Sequence, residues 1–508
     1  MKQTQDTQEP TRHPAQPTPT QPTADRPATP AEQLSRAWVA LRNQDHNLLP
    51  LAAAFAEAGH GLYLVGGSVR DALLGRLSHD LDFTTDARPQ QIIDILEPHA
   101  ETIWDTGIDF GTVSALVNGA MLEITTFRAD TYDGESRNPT VQFGDDLDGD
   151  LIRRDFRCNA IAVELRPDGE HQIHDPLHGL DDLRAGILDT PTTPQISFND
   201  DPLRMLRACR FVAQLGFDVA PRVRTAMHTM HEQLSRITAE RVAVELNKTL
   251  LGDRPAQGLE LMTETGLADI VLPELPALKM TQDEHFHHKD VYWHSLRVLE
   301  NAVEQEKKNG WEPDLELRFA ALMHDCGKPA TRKITDKGGV TFHQHEVVGA
   351  KMTRKRLQKL KYSRQLTSDI SQLVFLHMRF HGYGQAGNSE WTDSAVRRYV
   401  NDAGALLPKL HLLVRADCTT RNERKARRLQ RTYDGLEQRI AELQEKENLA
   451  AVRPALDGNA IMKILDLTPG PEVGQAWAFL KELALDRGPM SEEDAEAELR
   501  AWWAERAG

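Results

Sequence analysis

The pattern of apolar and polar residues predicts both strands and helices in the first part of the chain and helices in the remainder. An apolar run at residues 62–65 is typical of a buried strand, and helical spacing over residues 68–74 follows it. Alternation over residues 80–83 and 121–127 predicts two more strands. An amphipathic helix is then expected over residues 200–217. The expected fold is a mixed α/β unit on an otherwise helical body.

Two glycines, Gly66 and Gly67, stand between the first strand and its helix. Glycine at such a turn lets the backbone bend sharply or approach a ligand closely. The free N–H groups at the start of the helix attract anions. Arg70 adds a guanidinium that can bind a phosphate through two hydrogen bonds. The sequence therefore predicts a phosphate cradle at this turn.

The next strand carries Asp80 and Asp82, which share one of its faces because alternate residues of a strand point the same way. Two neighbouring carboxylates repel each other unless cations lie between them, and their hard oxygens suit Mg²⁺. Glu123, on the strand predicted at residues 121–127, is either a third carboxylate on the metal side or a solvent-facing glutamate. A phosphate cradle beside such a pair is typical of phosphoryl or nucleotidyl transfer.

Composition indicates an ordinary soluble chain of several domains. Its 508 residues are 40% hydrophobic and 27% charged, and no apolar run approaches the ~20 residues of a membrane span. The four cysteines are far apart and fit reduced thiols, so we expect a cytoplasmic protein. The net charge of −16 argues against general nucleic-acid binding, but binding depends on local patches. Basic runs at residues 351–364 and 415–431 predict a track for an RNA phosphate backbone.

Histidines become frequent after about residue 282. Two of them and two aspartates follow the order H…HD…D and so resemble the metal ligands of HD-type phosphohydrolases, namely His294, His324, Asp325 and Asp417. Further candidates are His343, His345 and His377. Imidazole combined with carboxylate suits a transition metal such as Mn²⁺, Ni²⁺ or Zn²⁺. We therefore predict a second metal site, which either hydrolyses a substrate or persists as a scaffold.

Two motifs, GGSVRD at residues 66–71 and DLDF at residues 80–83, resemble the head signature of class II nucleotidyltransferases. That family comprises the CCA-adding tRNA nucleotidyltransferases and the bacterial poly(A) polymerases. The stretch TGIDFGTV at residues 106–113 resembles the CCA-adding branch, and the arginine-rich segment that poly(A) polymerases carry after DLDF is missing. The ordered histidines and aspartates resemble HD-type phosphohydrolases. The resemblance implies an α/β nucleotidyltransferase head followed by an all-α neck, an HD domain and a helical tail.

The resemblance also implies roles for individual residues. Arg154 and Asp155, within an RRDF motif, would contact the phosphate and the ribose of the nucleotide. Asp201 and Arg204 match the family's EDxxR motif, which reads the incoming base, and we expect them on one helical face. The alternative for this pair is a surface ion pair.

A polar and acidic loop is predicted over residues 128–156. The positions that match the family there are Tyr132, Asp133, Arg137, Pro139 and Val141. Relatives need this loop for the final A, so the resemblance favours the complete CCA reaction over the addition of CC alone.

The expected function is the addition of C, C and A to the 3′ end of tRNA from CTP and ATP. Mg²⁺ would be held in the head by Asp80 and Asp82, and neither a membrane nor an obligatory protein partner is expected. The alternatives are a poly(A) polymerase and an RNA-binding scaffold with an inactive head. The expected domains are a disordered tail (1–31), a head (32–190), a neck (191–255), an HD domain (256–425) and a helical C-terminal body (426–508).

Overall fold

The computed structural model describes residues 39, 45–75, 80–128, 143–144, 146–279, 291–336, 339–380, 391–420, 422–447 and 453–507. The tail predicted at residues 1–31 and most of the predicted loop, including all five of its family-matched positions, lie outside the described residues. Asp80 is described by its place in a strand only.

The first part of the described chain folds around a seven-stranded mixed sheet with the order β3-β4-β5-β2-β1-β6-β7. Its strands are β1 (Leu62–Val65), β2 (Asp80–Thr85), β3 (Thr102–Trp104), β4 (Thr112–Val117), β5 (Ala120–Thr126), β6 (Ala162–Glu164) and β7 (Gln172–His174). Neighbouring strands are antiparallel, except that β2 and β5 run parallel. The two strands predicted by alternation are thus direct neighbours.

The two faces of this sheet differ because polar and apolar residues alternate along its strands. The helices of this region are α1 (Asp45–Glu57), α2 (Gly66–Leu73), α3 (Pro89–Leu96), α4 (Leu147–Ile152) and α5 (Gly179–Ala185). Helices α1 and α3 pack on the apolar face, where Leu81, Phe83 and Leu122 are buried. The opposite face is only partly covered and carries Asp82 and Glu123.

The remaining described chain is mainly helical, with two short two-stranded sheets. The next helices are α6 (Pro194–Asp200), α7 (Leu203–Leu215), α8 (Pro221–Met230), α9 (Ala239–Leu250), α10 (Pro255–Glu264) and α11 (Leu267–Val271). The following group is α12 (Val291–Lys308), α13 (Leu315–Met323), α14 (Lys328–Thr331), α15 (His345–Lys359), α16 (Arg364–Leu376), α17 (Asp393–Ala403) and α18 (Leu407–Ala416). The last helices are α19 (Glu423–Lys446), α20 (Gly458–Leu465), α21 (Pro471–Arg487) and α22 (Glu492–Ala507). The short strands are β8 (Ile187–Leu188), β9 (Asp218–Val219), β10 (Lys333–Ile334) and β11 (Val340–Thr341).

The mixed α/β head and the helical body predicted from the sequence are confirmed. None of the described helices is long and apolar enough to cross a membrane. The loop predicted over residues 128–156 is wrong at its C-terminal end, where α4 forms. The carboxylate of Asp146 accepts hydrogen bonds from the N–H groups of Asp148 and Gly149, and this N-cap starts a helix in an acidic segment.

A buried arginine joins α13 to the end of α9. The guanidinium of Arg318 is 2% exposed and pairs with Glu306 at 2.7 Å. It also donates to the carbonyl oxygens of Leu250 and Gly252, at 2.8 and 2.7 Å. A cation is favourable at the C-terminal end of a helix, where carbonyl groups lack partners. This contact therefore fixes the histidine-rich region against the helix that reaches the head.

Candidate active site and metal cluster

A cavity of about 950 Å³ lies between the open face of the sheet and helix α7. The predicted site residues that line it are Gly66, Gly67, Arg70, Asp82, Glu123, Arg154, Asp155, Asp201 and Arg204. These residues come from separate stretches of the sequence, and the fold brings them into one space. The lining holds seven basic side chains and five acidic ones, so this part of an acidic chain carries local positive charge.

Gly66 lines the cavity at the start of α2. Its φ of +68° lies in the left-handed region, which residues with a Cβ atom rarely adopt. A Cβ at this position would lie 3.3 Å from Nη1 of Arg154 and 3.7 Å from Oδ2 of Asp82. Glycine therefore lets the start of α2 turn beside a carboxylate and a guanidinium.

The carboxylates are aligned by the register of β2 and β5. Asp82 pairs with Glu123 and Asp80 pairs with Met121 in this parallel ladder. Because paired residues share a face, Asp82 and Glu123 stand side by side, and both line the cavity. The N–H of Asp82 donates to Oγ of Ser68 at 3.0 Å, which ties the strand to the start of α2.

Arg70 is held in place by protein groups. Its Nη1 donates to Oδ1 of Asn159 at 2.9 Å, and its Nε and Nη2 donate to the carboxylate of Asp71 at 3.0 and 2.9 Å. The guanidinium also lies 5.1 Å from the ring centre of Phe211. Most of its donors are thus engaged, and the side chain links α2 to α7.

Asp155 is buried where the segment after α4 meets helix α7. One oxygen accepts from Nδ2 of Asn159 and from the N–H of Phe156, and the other accepts from Nε of Arg207 at 2.7 Å. Burial raises the pKa of Asp155, but the charge of Arg207, the hydrogen bond from Asn159 and the charge of Arg204 outweigh it. The pKa of this carboxyl is therefore held well below its usual range.

Helix α7 presents a row of three arginines, of which the sequence predicted only Arg204. Arg204, Arg207 and Arg210 recur every third residue and all line the cavity. Arg210 lies 4.3 Å from the ring centre of Phe211 and 3.3 Å from Oε1 of Glu245. Burial, followed by the charge of Arg207, lowers the pKa of Arg210 to about 10. The spacing of three residues was the available signal, since each arginine sits on the same side of an otherwise apolar helix.

Asp201 and Arg204 both line the cavity, but the expectation that they share a helical face is wrong. Helix α7 begins at Leu203, and Asp201 has extended backbone angles, because a residue before proline is disfavoured in the α conformation. Its carboxylate accepts from the N–H of Leu203 and pairs with Arg241 at 2.9 Å. Arg204 instead donates to Oγ of Ser197 at 2.8 Å.

A second group of chemistry-bearing side chains lies in the histidine-rich region. It consists of two sets of three, His294, His324 and Asp417 in one, and Asp325, His345 and His377 in the other. The Nε2 atoms of His294 and His324 lie 3.2 Å apart, and those of His345 and His377 lie 3.3 Å apart. Asp325 joins the sets, since one oxygen lies 3.2 Å from Nε2 of His324 and the other 3.3 Å from Nε2 of His345.

The orientation of three of these imidazoles is set by the backbone. In His324, His345 and His377, Nδ1 lies 2.8, 2.9 and 2.7 Å from the carbonyl oxygen three residues earlier. The carbonyl can only accept, so each Nδ1 carries the proton and each Nε2 presents a lone pair to the cluster. Ring nitrogens fixed in this way, together with carboxylates, are the donor set of a transition-metal site.

All four predicted ligands of this cluster are brought together, and two of the three further candidates join them. His343 does not, because it lies in an exposed turn before α15.

Comparison with known proteins finds matches over both regions of the chain that contain these groups of side chains. Sequence models match for the poly A polymerase head domain at residues 62–189, the probable RNA and SrmB-binding site of polymerase A at residues 216–278, and the HD domain at residues 291–422. The A-adding tRNA nucleotidyltransferase of Deinococcus radiodurans is 32% identical over 458 residues, which cover 88% of this chain and 97% of that protein. The chain belongs to the tRNA nucleotidyltransferase family.

Other members of the tRNA nucleotidyltransferase family match over part of the chain or in fold. The CCA-adding enzyme of Leuconostoc mesenteroides is 41% identical over 228 residues, 45% of this chain and 54% of that protein. The structure of the Bacillus stearothermophilus CCA-adding enzyme in complex with CTP has a TM-score of 0.63 and 24% identity, and the match covers 91% of this chain and 98% of that one. This last likeness shows the shared fold.

Proposed function

We propose that this nucleotidyltransferase adds C, C and A to the 3′ end of tRNA, using CTP and ATP and releasing pyrophosphate. The observation that carries the proposal is the single cavity between the sheet and α7. One wall supplies the carboxylates and the glycine turn, and the other supplies Asp201 and Arg204. A nucleotide between the walls would have its phosphates near Gly66 and its base near α7.

The head carboxylates fit Mg²⁺ because hard oxygens are the ligands that this ion prefers. Asp82 and Glu123 would hold it, with Asp80 on the same face of β2. Bound there, Mg²⁺ supplies positive charge for the attacking hydroxyl and the leaving pyrophosphate. The basic residues of the cavity, Arg154 among them, would balance the remaining charge of the triphosphate.

Base selection would rest on Asp201 and Arg204. Cytosine and adenine both present an exocyclic amine beside an unprotonated ring nitrogen, whereas uracil and guanine present a carbonyl beside an N–H. Asp201 keeps acceptor lone pairs beyond its bonds to Leu203 and Arg241, so it can accept from the amine. Arg204 is fixed by Ser197 and the carbonyl of Arg153, and it keeps donors for the ring nitrogen.

The test is to incubate the protein with tRNA that lacks its 3′ CCA and, separately, with tRNA that ends in CC. CTP and ATP are supplied together and the products are sequenced. We expect CCA on the first substrate and a single A on the second. If only the tRNA that ends in CC is extended, the protein adds A alone, which is the reaction named for the D. radiodurans relative. Long A tails would indicate a poly(A) polymerase. If neither tRNA is extended, the protein is an RNA-binding scaffold with an inactive head.

We further propose that the histidine cluster is a two-metal phosphohydrolase centre acting on phosphoester ends such as a 2′,3′-cyclic phosphate. The observation that favours it is the central place of Asp325, which offers one oxygen to each set of ligands. Two ions close together would supply positive charge for the attacking and leaving oxygens of a hydrolysis. Lys328, whose Nζ lies 2.6 Å from Asp325, adds a cation beside the cluster that can attract a phosphate.

The test is hydrolysis of 2′,3′-cyclic AMP in the presence of Mn²⁺, Ni²⁺, Co²⁺ or Mg²⁺, one at a time. We expect activity with at least one transition metal. No activity of the wild-type protein with any of the four ions would make this domain a scaffold.

A further inference from the structure

A single row of residues crosses the head sheet and ends in an exposed tryptophan. Asp82 pairs with Glu123, Glu123 with Ser114, and Ser114 with Trp104. Residues that lie directly opposite each other on neighbouring strands share a face of the sheet. Trp104 therefore lies on the same open face as the carboxylates, in line with them, and is 38% exposed.

The strand order gives this row a direction. On one side of β2 lies β1, which leads into the glycine turn, and on the other side lie β5, β4 and β3 in turn. If the triphosphate occupies the glycine turn, an in-line displacement requires the attacking hydroxyl to approach from the other side of the carboxylates. The acceptor strand would then cross β5, β4 and β3. Three strand spacings place the Cα atoms of Trp104 and Asp82 about 14 Å apart.

We propose that Trp104 is a stacking platform for a base close to the 3′ end of the acceptor RNA. The inference rests on the proposed transfer to an RNA end and adds a subsite to it. Every base has a flat face, so stacking on an aromatic ring tolerates any sequence. That tolerance suits an acceptor whose last nucleotides change with each addition. A hydrogen bond to a base edge at this position would instead favour one of the successive ends.

Two further exposed aromatic residues, Phe110 and Phe143, lie near the start of β4, the strand that pairs with β3. Phe110, in the connection between β3 and β4, is 49% exposed, and its carbonyl oxygen accepts a hydrogen bond from Arg128. Phe143 is 38% exposed and lies 5.2 Å from the guanidinium carbon of Arg88. Exposed aromatic rings interleaved with arginines are typical of surfaces that bind single-stranded nucleic acid.

The experiment compares Trp104→Ala and Trp104→Phe with the wild-type protein in steady-state addition of nucleotides to tRNA lacking CCA. Trp477→Ala is the matched control, because Trp477 on α21 is also 38% exposed. We expect Trp104→Ala to raise the KM for tRNA about tenfold, the loss of one stacked base. The KM for CTP and kcat should stay within about twofold of wild type, Trp104→Phe should recover most of the loss, and Trp477→Ala should change nothing.

Three results would overturn the proposal. The first is a KM for tRNA that Trp104→Ala leaves unchanged. This face of the sheet would then bind another protein and not RNA. The second is a parallel loss in kcat and in the KM for CTP, which indicates a structural role. The third is an equal effect of Trp477→Ala. Failure of the wild-type protein to extend tRNA at all would instead defeat the proposed function, so the two failures are distinguishable.

Discussion

The head cavity and the histidine cluster both collect candidate metal ligands, but they do so with different chemistry. In the head, the ligands are carboxylates on the open face of a sheet, and basic side chains surround them in a cavity of about 950 Å³. In the cluster, imidazoles and carboxylates face one another within a few ångströms, and His324, Asp325 and His377 are 1, 1 and 2% exposed. The first arrangement suits a large polyanion together with its ions. The histidine cluster suits the metal ions themselves and one phosphoester bound at the edge of the cluster.

The backbone explains how each region is built. Strand alternation and register suffice to align the head carboxylates. In the cluster, His324, His377 and Asp417 each follow the last residue of a helix, and His345 begins one. Unpaired carbonyl groups at helix ends are available to hold the Nδ1 protons of two of these histidines. The two centres are therefore assembled by different parts of the backbone, and each should be removable without the other.

The largest expected effect is that of Asp82→Asn on transfer. The change keeps the shape of the side chain but removes a metal-binding charge, so incorporation of CTP and ATP should both fall by about a thousandfold or more. Binding of tRNA, measured by filter retention, should persist. Asp94→Asn on α3 is the control, because that helix packs on the other face of the sheet. Near-normal transfer by Asp82→Asn would remove the head carboxylates from the mechanism.

A graded loss of metal is expected from the cluster. Asp325 belongs to both sets of ligands, so Asp325→Ala should lose both ions and all hydrolysis of 2′,3′-cyclic AMP, while His377→Ala should lose one ion. Metal content per protein, measured by mass spectrometry of the elements, checks this. His343→Ala is the control, since that histidine is exposed and lies outside the cluster. Equal metal content in all variants would contradict the claim that Asp325 serves both sets of ligands.

Arg204→Ala should weaken the use of CTP and ATP alike. Discrimination on the order of 10⁴ is reached where a site is built to bond its substrate, and losing one of two reading groups should narrow the advantage over UTP and GTP by about 10- to 100-fold. The kcat/KM values for the four nucleotides provide the measurement. Arg241→Ala, which removes only the partner of Asp201, should have a smaller effect. Unchanged discrimination would place base reading elsewhere.

Arg207→Ala should destabilise the packing of α7 against the segment that follows α4. It leaves the carboxylate of Asp155, 7% exposed, without its ion pair, and because Arg207 is itself 34% exposed we expect a loss of about 1–2 kcal/mol. The low pKa of Asp155 in the folded protein means that this stabilisation is present above an ordinary carboxyl pKa of about 4 and lost as the pH falls below it. The difference in melting temperature from wild type should therefore be constant between pH 8 and about pH 5 and shrink below about pH 4. A difference that grows in acid would contradict the assignment.

The sequence predicted the parts of this molecule whose signals are local. Alternation indicated the strands of Asp82 and Glu123. The cluster spans residues 294–417, so it was indicated by the resemblance of its H…HD…D order to a family and not by a local pattern. The pairing of β2 with β5 depends on residues about 40 apart in the chain, which no local pattern reports, so the role of Glu123 stayed open. Asp201 was placed on a helix because its spacing from Arg204 is helical, although Pro202 prevents that conformation. The strand β3 was missed because it has only three residues, and with it the position of Trp104.

The most direct test of the account measures both activities in the same preparations of wild type, Asp82→Asn and His324→Ala. Nucleotide addition to tRNA lacking CCA is assayed with Mg²⁺, and hydrolysis of 2′,3′-cyclic AMP with the most active transition metal. We predict that Asp82→Asn loses addition and keeps hydrolysis, and that His324→Ala does the reverse, each retained activity lying within about twofold of wild type. Loss of both activities in either correctly folded variant would contradict the existence of two independent centres.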